Sequence, residues 1–147
     1  MSEKDCKVNG GAHCLIGRFQ PFHLGHYELI LQYLEKGERV VVLIMDTKLD
    51  QDNPFTSVER MVMVEGAFRQ CPNNHLLTVR MIPPICDVSI GRKCGFAVRE
   101  LDSRGHESIS ATAIRESLRA ETEDWKRMVH PSSIAIIANL VFRGVIG

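Results

Sequence analysis

The sequence predicts an α/β fold with a mostly parallel sheet, and three observations support that prediction. Short β-branched and aliphatic runs alternate with segments whose apolar residues recur every three or four positions. One run, residues 40–44, is continuously apolar (VVVLI), which is typical of a strand buried on both faces of a parallel sheet. The resulting order, β-α-β-α-β-β-β-α-α, predicts a single domain with five strands flanked by helices.

The boundaries of these elements follow from local signals. Gly37 is expected to end the first helix. Thr56 and Glu59 form a capping box that opens the second helix, and Pro131 suits the first turn of the last one. The expected strands cover residues 12–16, 39–45, 76–82, 88–90 and 96–101, and the expected helices cover residues 23–36, 56–68, 110–119 and 132–142.

Composition excludes several classes of protein. The 18 basic residues balance the 18 acidic ones, so nothing favours nucleic-acid binding. The five cysteines form no CxxC pair, which is typical of reduced thiols in a cytoplasmic protein. No signal peptide or membrane span is expected, because residues 1–9 are polar and no apolar run reaches a membrane-spanning length. We expect residues 1–11 to be a disordered segment and residues 12–147 to form the domain, as a monomer or a homo-oligomer.

The turn between the first strand and the first helix has the composition of a phosphate site. It reads GRFQPFHLGH over residues 17–26. His23 and His26 lie three apart, so both can face one side of the first helical turn, and Gly25 between them adds no obstructing side chain. Arg18 and the free N–H groups at the helix start favour an anion. A structural or metal-binding pair is the alternative, but zinc-binding helices usually space histidines four apart and need a third ligand.

Two other stretches place polar residues, which could cap a helix or bind a ligand, at predicted helix starts. Ser110 and Thr112 are good N-terminal hydroxyls, with Arg115 one turn later. Alone, this pattern indicates ordinary capping. The stretch NPFT at residues 53–56 is a turn that leads into a capped helix. Three further histidines, His75, His106 and His130, have no partner at ligand spacing and are expected at the surface or in loops.

Together these motifs resemble those of a known superfamily. The HxGH at 23–26 and the ISxTxxR at 109–115 are similar to the two signatures of the nucleotidyltransferases. The sequence GRFQPFH and the NPFT stretch most resemble the corresponding motifs of the archaeal-type nicotinamide mononucleotide (NMN) adenylyltransferases. The resemblance covers roughly residues 12–142. It implies a Rossmann-like domain that transfers AMP from ATP to NMN, giving NAD and pyrophosphate.

The resemblance also implies roles for particular residues. Catalytic roles fall to His23, His26 and Arg115. ATP-binding roles fall to Gly17, Arg18, Phe19, His23, Gly25, His26, Gly91, Arg92, Ser110, Thr112 and Arg115. Acceptor-binding roles fall to Phe19, Asp46, Lys48, Asn53, Pro54, Phe55 and Arg60. Mg²⁺ is expected to accompany ATP, bridging phosphate oxygens while keeping several waters, so no protein metal site is predicted.

Two departures from the family leave the acceptor open. Where the family has a basic residue before NPFT, this chain has Asp52, with Lys48 four residues earlier. The tryptophan that stacks on nicotinamide in the family is missing from residues 83–87, which leaves Phe19, Phe22 or Phe55 as substitutes. Another phosphorylated acceptor, CTP as donor, and a nucleotide-sensing module without turnover are the alternatives. The intact motif residues around the leaving pyrophosphate favour the enzyme.

Overall fold

Three parallel strands form the sheet of this protein. The computed structural model describes residues 10–92, 95–99, 106 and 108–142, so most of the segment expected to be disordered lies outside the described residues. The strands are β1 (Ala12–Gly17), β2 (Arg39–Met45) and β3 (Leu77–Ile82), arranged in the order β1–β2–β3. Cys14 lies opposite Val41, and Val41 opposite Thr78. The α/β class and the parallel sheet are therefore confirmed.

The predicted number of strands was wrong. Residues 88–92 and 95–99 have no strand, although the sequence placed strands at 88–90 and 96–101; residues 100 and 101 lie outside the described chain. Val88 and Val98 are 62% and 78% exposed. An apolar run of three to six residues does not form a strand unless a neighbouring edge pairs with it, and in the described residues these runs pair with none.

Four helices occur close to their expected positions. They are α1 (Leu24–Glu35), α2 (Ser57–Ala67), α3 (Ala111–Arg119) and α4 (Ile134–Phe142). Gly37 follows α1 with φ of +74°, a backbone conformation that glycine adopts without strain. The capping box of α2 is present, with Glu59 N–H donating to Thr56 Oγ1 at 3.1 Å and Thr56 N–H donating to Glu59 Oε1 at 2.9 Å. Short 3-10 turns at residues 74–76 and 124–127 were not predicted, and a third, at residues 131–133, begins at Pro131 and leads into α4.

The core lies mainly on one face of the sheet. Along β2, Val40, Val42 and Ile44 are fully buried, whereas Val41 and Leu43 are only partly buried. The prediction that this strand is buried on both faces was therefore only half right. Right-handed crossovers that advance in one direction place α1 and α2 on the same face of the sheet, which explains the alternation.

The carboxyl ends of the three strands meet at one edge. β1 leads into the turn of residues 17–26, and β2 leads into residues 46–56, which we call the acceptor loop after the role predicted for it from the sequence. The loop is joined to the end of β3, because Asp46 N–H donates to Ile82 O at 2.7 Å. Ligands of parallel α/β folds bind at this edge. Within the described part of the chain, no helix is both long and apolar enough to cross a membrane.

Candidate active site

His23 and His26 cap the start of α1 for each other. His23 is the N-cap residue, and its Nδ1 accepts a hydrogen bond from Gly25 N–H at 3.0 Å. His26 Nδ1 accepts from His23 N–H at 3.3 Å. The two rings stack with centroids 3.7 Å apart. Because each Nδ1 is an acceptor, each neutral ring carries its hydrogen on Nε2, and both Nε2–H groups remain as donors.

Gly25 makes this stacked arrangement possible. A Cβ at this position would lie 2.8 Å from His23 Cε1 and 3.0 Å from His23 Nδ1. Such a distance is too short for a real contact, so a side chain would displace the His23 ring. The sequence suggested that the glycine clears space for a ligand; in the structure it clears space for the ring that caps the helix.

Burial keeps both imidazoles neutral. The pKa of His23 is lowered from 6.5 to about 4, chiefly by burial and then by nearby His106. Burial, with a smaller effect of His23, holds the pKa of His26 well below its usual value. His106 was expected in a loop without partners, and its position beside His23 was missed because the two residues lie far apart along the chain. Near pH 7 the pair therefore offers hydrogen-bond donors without positive charge.

Aromatic side chains enclose the histidine pair. The Phe19 ring meets His26 edge-on at 4.8 Å between centroids, and the Phe22 ring lies 5.7 Å from it. Phe19, Phe22 and Phe55 are 5%, 0% and 0% exposed. All three candidates for the missing nicotinamide platform are thus packed in the core, and none presents a ring face to solvent.

Arg115 reaches the same edge from α3. Ser110 is the N-cap of that helix, its Oγ accepting from Ala113 N–H at 3.0 Å. The buried Arg115 guanidinium donates from Nη1 to Gln20 O at 2.7 Å and from Nη2 to Thr112 Oγ1 at 3.4 Å. Its Nε is buried and has no partner among the described residues. The start of α3 is thereby joined directly to the turn before α1.

Two further arginines lie near Arg115, one from the turn before α1 and one from α3. Burial lowers the pKa of Arg115 most, followed by the charge of Arg18, with a smaller lowering from Arg119. Asp52 and Asp50 act in the opposite direction on the same pKa. Arg18 and Arg119 thus both act on Arg115, and two carboxylates act on it in the opposite direction. Such a cluster suits a polyanion.

The tip of the acceptor loop is bonded both to the turn before α1 and to α3. Arg18 Nη1 donates to Asn53 Oδ1 at 3.1 Å. Arg119 donates from Nη2 to Gln51 O, and the same nitrogen lies 3.9 Å from Asp52 Oδ1. Asp50 turns the loop by accepting from the main-chain N–H of Asp52 and Asn53, each at 2.8 Å. The departure at Asp52 is thus associated with an arginine from α3.

The predicted acceptor-binding residues differ in accessibility. Asp46 and Lys48 are exposed, Asn53 is half-buried, and Pro54 is buried. Arg60 is fully buried; its Nη1 donates to Arg18 O at 2.6 Å and to Met45 O at 2.7 Å. Its position beneath the loop is that of a support joining α2 to the ends of β1 and β2.

Gln20 is a residue that the sequence analysis missed. It lies inside the motif, is 1% exposed, and bonds to Phe55 and Thr47 of the acceptor loop. No single-residue signal marks it, because its partners are 27 and 35 positions away.

Gly91 and Arg92, in contrast, lie exposed on a segment without regular secondary structure. Over the residues that the structure describes, no group of three His, Cys, Asp or Glu side chains could hold a metal ion.

Comparison with known proteins agrees with this geometry. Residues 14–82 match the family described as Cytidylyltransferase-like. The matched stretch contains the HxGH motif, so this part of the chain is similar to the nucleotidyltransferases of the HxGH superfamily. The resemblance predicted from the motifs is confirmed by this match and by the archaeal relatives described next.

Among curated proteins, the similarity is to archaeal enzymes. The nicotinamide-nucleotide adenylyltransferase of Methanolobus tindarius is 29% identical, over 83% of this chain and 84% of its own. The protein of the same name from Methanosphaerula palustris is also 29% identical, over 85% and 89% of the two chains. A solved bifunctional NMN adenylyltransferase/ADP ribose pyrophosphatase of Francisella tularensis, complexed with AMP and a manganese ion, matches 50% of this chain and 22% of its own. Its identity is 26% and its TM-score 0.45.

Proposed function

We propose that the protein is an adenylyltransferase that joins the AMP part of ATP to NMN, forming NAD and releasing pyrophosphate. The observation that carries this proposal is the juxtaposition of the neutral His23–His26 pair with Arg115, through the hydrogen bond from Arg115 to Gln20 O. The names of the archaeal relatives support the choice of NMN.

The reaction needs little covalent chemistry from the protein. A phosphate oxygen of the acceptor attacks the α-phosphorus of ATP, a new P–O bond forms, and the bond to the β-phosphate bridging oxygen breaks. The attacking oxygen is already ionised at neutral pH, so no general base is required. Positioning and charge stabilisation then account for catalysis.

Each motif residue has a part in that scheme. His23 and His26 donate from Nε2 to phosphate oxygens near the start of α1, where the helix dipole also favours anions. Arg115 stabilises the charge that develops on the leaving pyrophosphate, with the Ser110 and Thr112 hydroxyls at the start of α3 beside the phosphates. Arg18 adds a further guanidinium–phosphate contact from the turn.

Mg²⁺ is proposed as a partner of ATP rather than as a resident of the protein. A hard cation prefers oxygen ligands, and neutral imidazoles suit it poorly. The described residues offer no three-residue carboxylate or histidine group for it. The phosphate oxygens and water would therefore hold the ion, and it would neutralise charge on the triphosphate.

A panel assay tests this function. Pyrophosphate release is measured with ATP or CTP as donor against NMN, nicotinate mononucleotide and other phosphorylated acceptors, and the products are identified by mass spectrometry. NAD formed from ATP and NMN at a rate at least tenfold above every other pair supports the proposal. Turnover only with another acceptor or with CTP would contradict it, and ATP binding without turnover would indicate a sensing module.

A cytoplasmic location is proposed with this function. In the described residues Cys14, Cys71 and Cys86 are free thiols, as is usual where proteins are kept reduced.

A further inference from the structure

We propose that Gln20 is a positioning residue that holds the acceptor loop in place against the nucleotide half of the site. This inference deepens the proposed function and rests on it for the identity of the acceptor. The glutamine is nearly fully buried, at 1% exposure. It lies between the two groups that must be aligned for an in-line transfer, the loop over the acceptor and the arginine at the leaving group.

The side-chain amide of Gln20 pairs with the loop as a neighbouring strand would. Its Oε1 accepts from Phe55 N–H at 2.9 Å, and its Nε2 donates to Phe55 O at 3.0 Å. The second hydrogen on Nε2 points to Thr47 Oγ1 at 3.1 Å. One side chain thus satisfies both main-chain groups of a buried residue and also holds the opposite end of the loop. Among side chains of this length, only the amide of glutamine offers a donor and an acceptor whatever the pH.

The main chain of Gln20 serves the other half of the site. Its carbonyl oxygen accepts from Arg115 Nη1 at 2.7 Å. The side chain and the carbonyl therefore have separate partners, and a change of side chain leaves the arginine contact available. Loss of the amide should then loosen the loop while ATP binding is retained.

Substitution by methionine separates these two functions. Gln20→Met keeps the length of the side chain but removes all three of its hydrogen bonds, so Phe55 N–H and C=O are left without partners. We expect the KM for NMN to rise at least tenfold, because unpaired buried polar groups favour release of the loop. The dissociation constant for ATP should stay within threefold of wild type. Gln32→Met on α1, a half-buried glutamine outside the site, is the matched control and should change neither quantity.

Substitution by glutamate adds a pH-dependent test, because the carboxyl can donate a hydrogen bond only when it is protonated. Ionised, the carboxyl of the Gln20→Glu variant can only accept, so the bond to Phe55 O is lost, whereas the Thr47 hydroxyl can still donate to it. Protonated, it can again donate to Phe55 O while accepting from Phe55 N–H, and burial favours this form. The ratio of variant to wild-type KM for NMN should therefore fall several-fold between pH 8 and pH 6. The same ratio for Gln20→Met should stay constant.

Amide hydrogen exchange at Phe55, measured without substrate, separates failure of this inference from failure of the proposed function. We expect exchange at Phe55 to be at least tenfold faster in Gln20→Met than in wild type or Gln32→Met. Unchanged exchange would overturn the proposal even if NAD is the product. A parallel loss of ATP affinity would also overturn it, as would a pH-independent KM ratio for Gln20→Glu.

If wild type does not use NMN, the exchange experiment still decides whether Gln20 holds the loop. If Gln20→Met does not fold, the glutamate variant at pH 6 and pH 8 provides the same decision.

Discussion

The rings of His23 and His26 are fixed by hydrogen bonds that leave only their Nε2–H groups for a ligand. Both Nδ1 atoms are occupied by main-chain N–H groups of the same helical turn. Since burial lowers the pKa of each ring, the donors do not depend on protonation near neutral pH. A neutral donor of fixed orientation stabilises charge in the transition state without having to reorganise.

Replacing His26 tests this donor directly. His26→Ala should lower turnover at least 100-fold, because removing one preorganised transition-state donor costs about 3 kcal/mol. Steady-state kinetics of NAD formation give the turnover number, and circular dichroism checks the fold. His75→Ala, at an exposed histidine of the 3-10 turn, is the control and should keep wild-type activity. Turnover within a few-fold of wild type would remove His26 from the mechanism.

Arg115 gives a second prediction at the residue scale. Arg115→Lys should lower kcat at least tenfold while ATP affinity changes little, since lysine cannot reproduce the planar fork that bonds to Gln20 O and Thr112 and is proposed to contact the leaving group. Single-turnover rates and ATP titrations separate the two quantities. Normal chemistry with weaker ATP binding would make Arg115 a ground-state contact.

At the scale of elements, the candidate site is formed where the turn before α1 and helix α3 converge on the acceptor loop. The turn before α1 contributes Arg18, α3 contributes Arg119, and both bond to the loop tip at Asn53 and Gln51. Asp52 lies beside Arg119 but remains largely exposed, with 73% of its side-chain surface accessible. An exposed carboxylate at this place repels an anionic acceptor by an amount that salt screens.

The charge at Asp52 can be reversed to test this. Asp52→Lys should tighten NMN binding several-fold at low salt, because it removes the repulsion and leaves Arg119 without its carboxylate neighbour. ATP affinity should change less, and added salt should shrink the gain. Titrations of NMN at two ionic strengths measure the effect. Asp124→Lys makes the same charge change at an exposed aspartate that pairs with Arg127, and serves as the control. Equal effects of the two variants would show that only net charge matters.

At the scale of the whole molecule, the histidine pair couples stability to pH. The pKa of His23 is about 4 in the folded protein, against the ordinary value of 6.5 that applies once the chain unfolds, so between these values the unfolded chain binds more protons. The stability that His23 contributes is therefore full above about pH 6.5 and is lost as the pH falls towards 4. The lowered pKa of His26 acts in the same direction.

Urea unfolding at pH 7.5, 6 and 5 measures this dependence. The free energy of unfolding of wild type should fall on acidification, by at most about 1.4 kcal/mol per pH unit for each group. His23→Asn keeps an N-cap acceptor but does not titrate, so its pH dependence should be shallower. His75→Asn should follow wild type. An unchanged slope in His23→Asn would mean that His23 is not buried as described.

How much could be predicted from the sequence depends on how far apart along the chain the interacting residues lie. The bounds of α1, β2 and α2 followed from local periodicity and from caps such as Thr56 with Glu59. The strands expected at 88–90 and 96–101 were wrong because a short apolar run forms a strand only through a neighbouring edge. Gln20, His106 and the burial of Arg60 depend on partners far along the chain, which no local pattern records. The assignment of catalytic and binding roles stays a prediction for His23, His26 and Arg115 as much as for Ser110, Thr112 and the acceptor-loop residues.

The hydrogen bonds that hold the two ends of the acceptor loop determine where its length can change. Its first residue is bonded to the end of β3 through Asp46 N–H, and its last ones are held by Gln20 at Phe55 and by the Thr56 cap of α2. Between these anchors, residues 48–52 are all exposed. Since Asp50, Gln51 and Asp52 are bonded at the loop tip, changes of length should be tolerated best at residues 48 and 49 and not at either anchor. A bulkier or smaller acceptor could be accommodated by lengthening or shortening this stretch, while the nucleotide half of the site is left as it is.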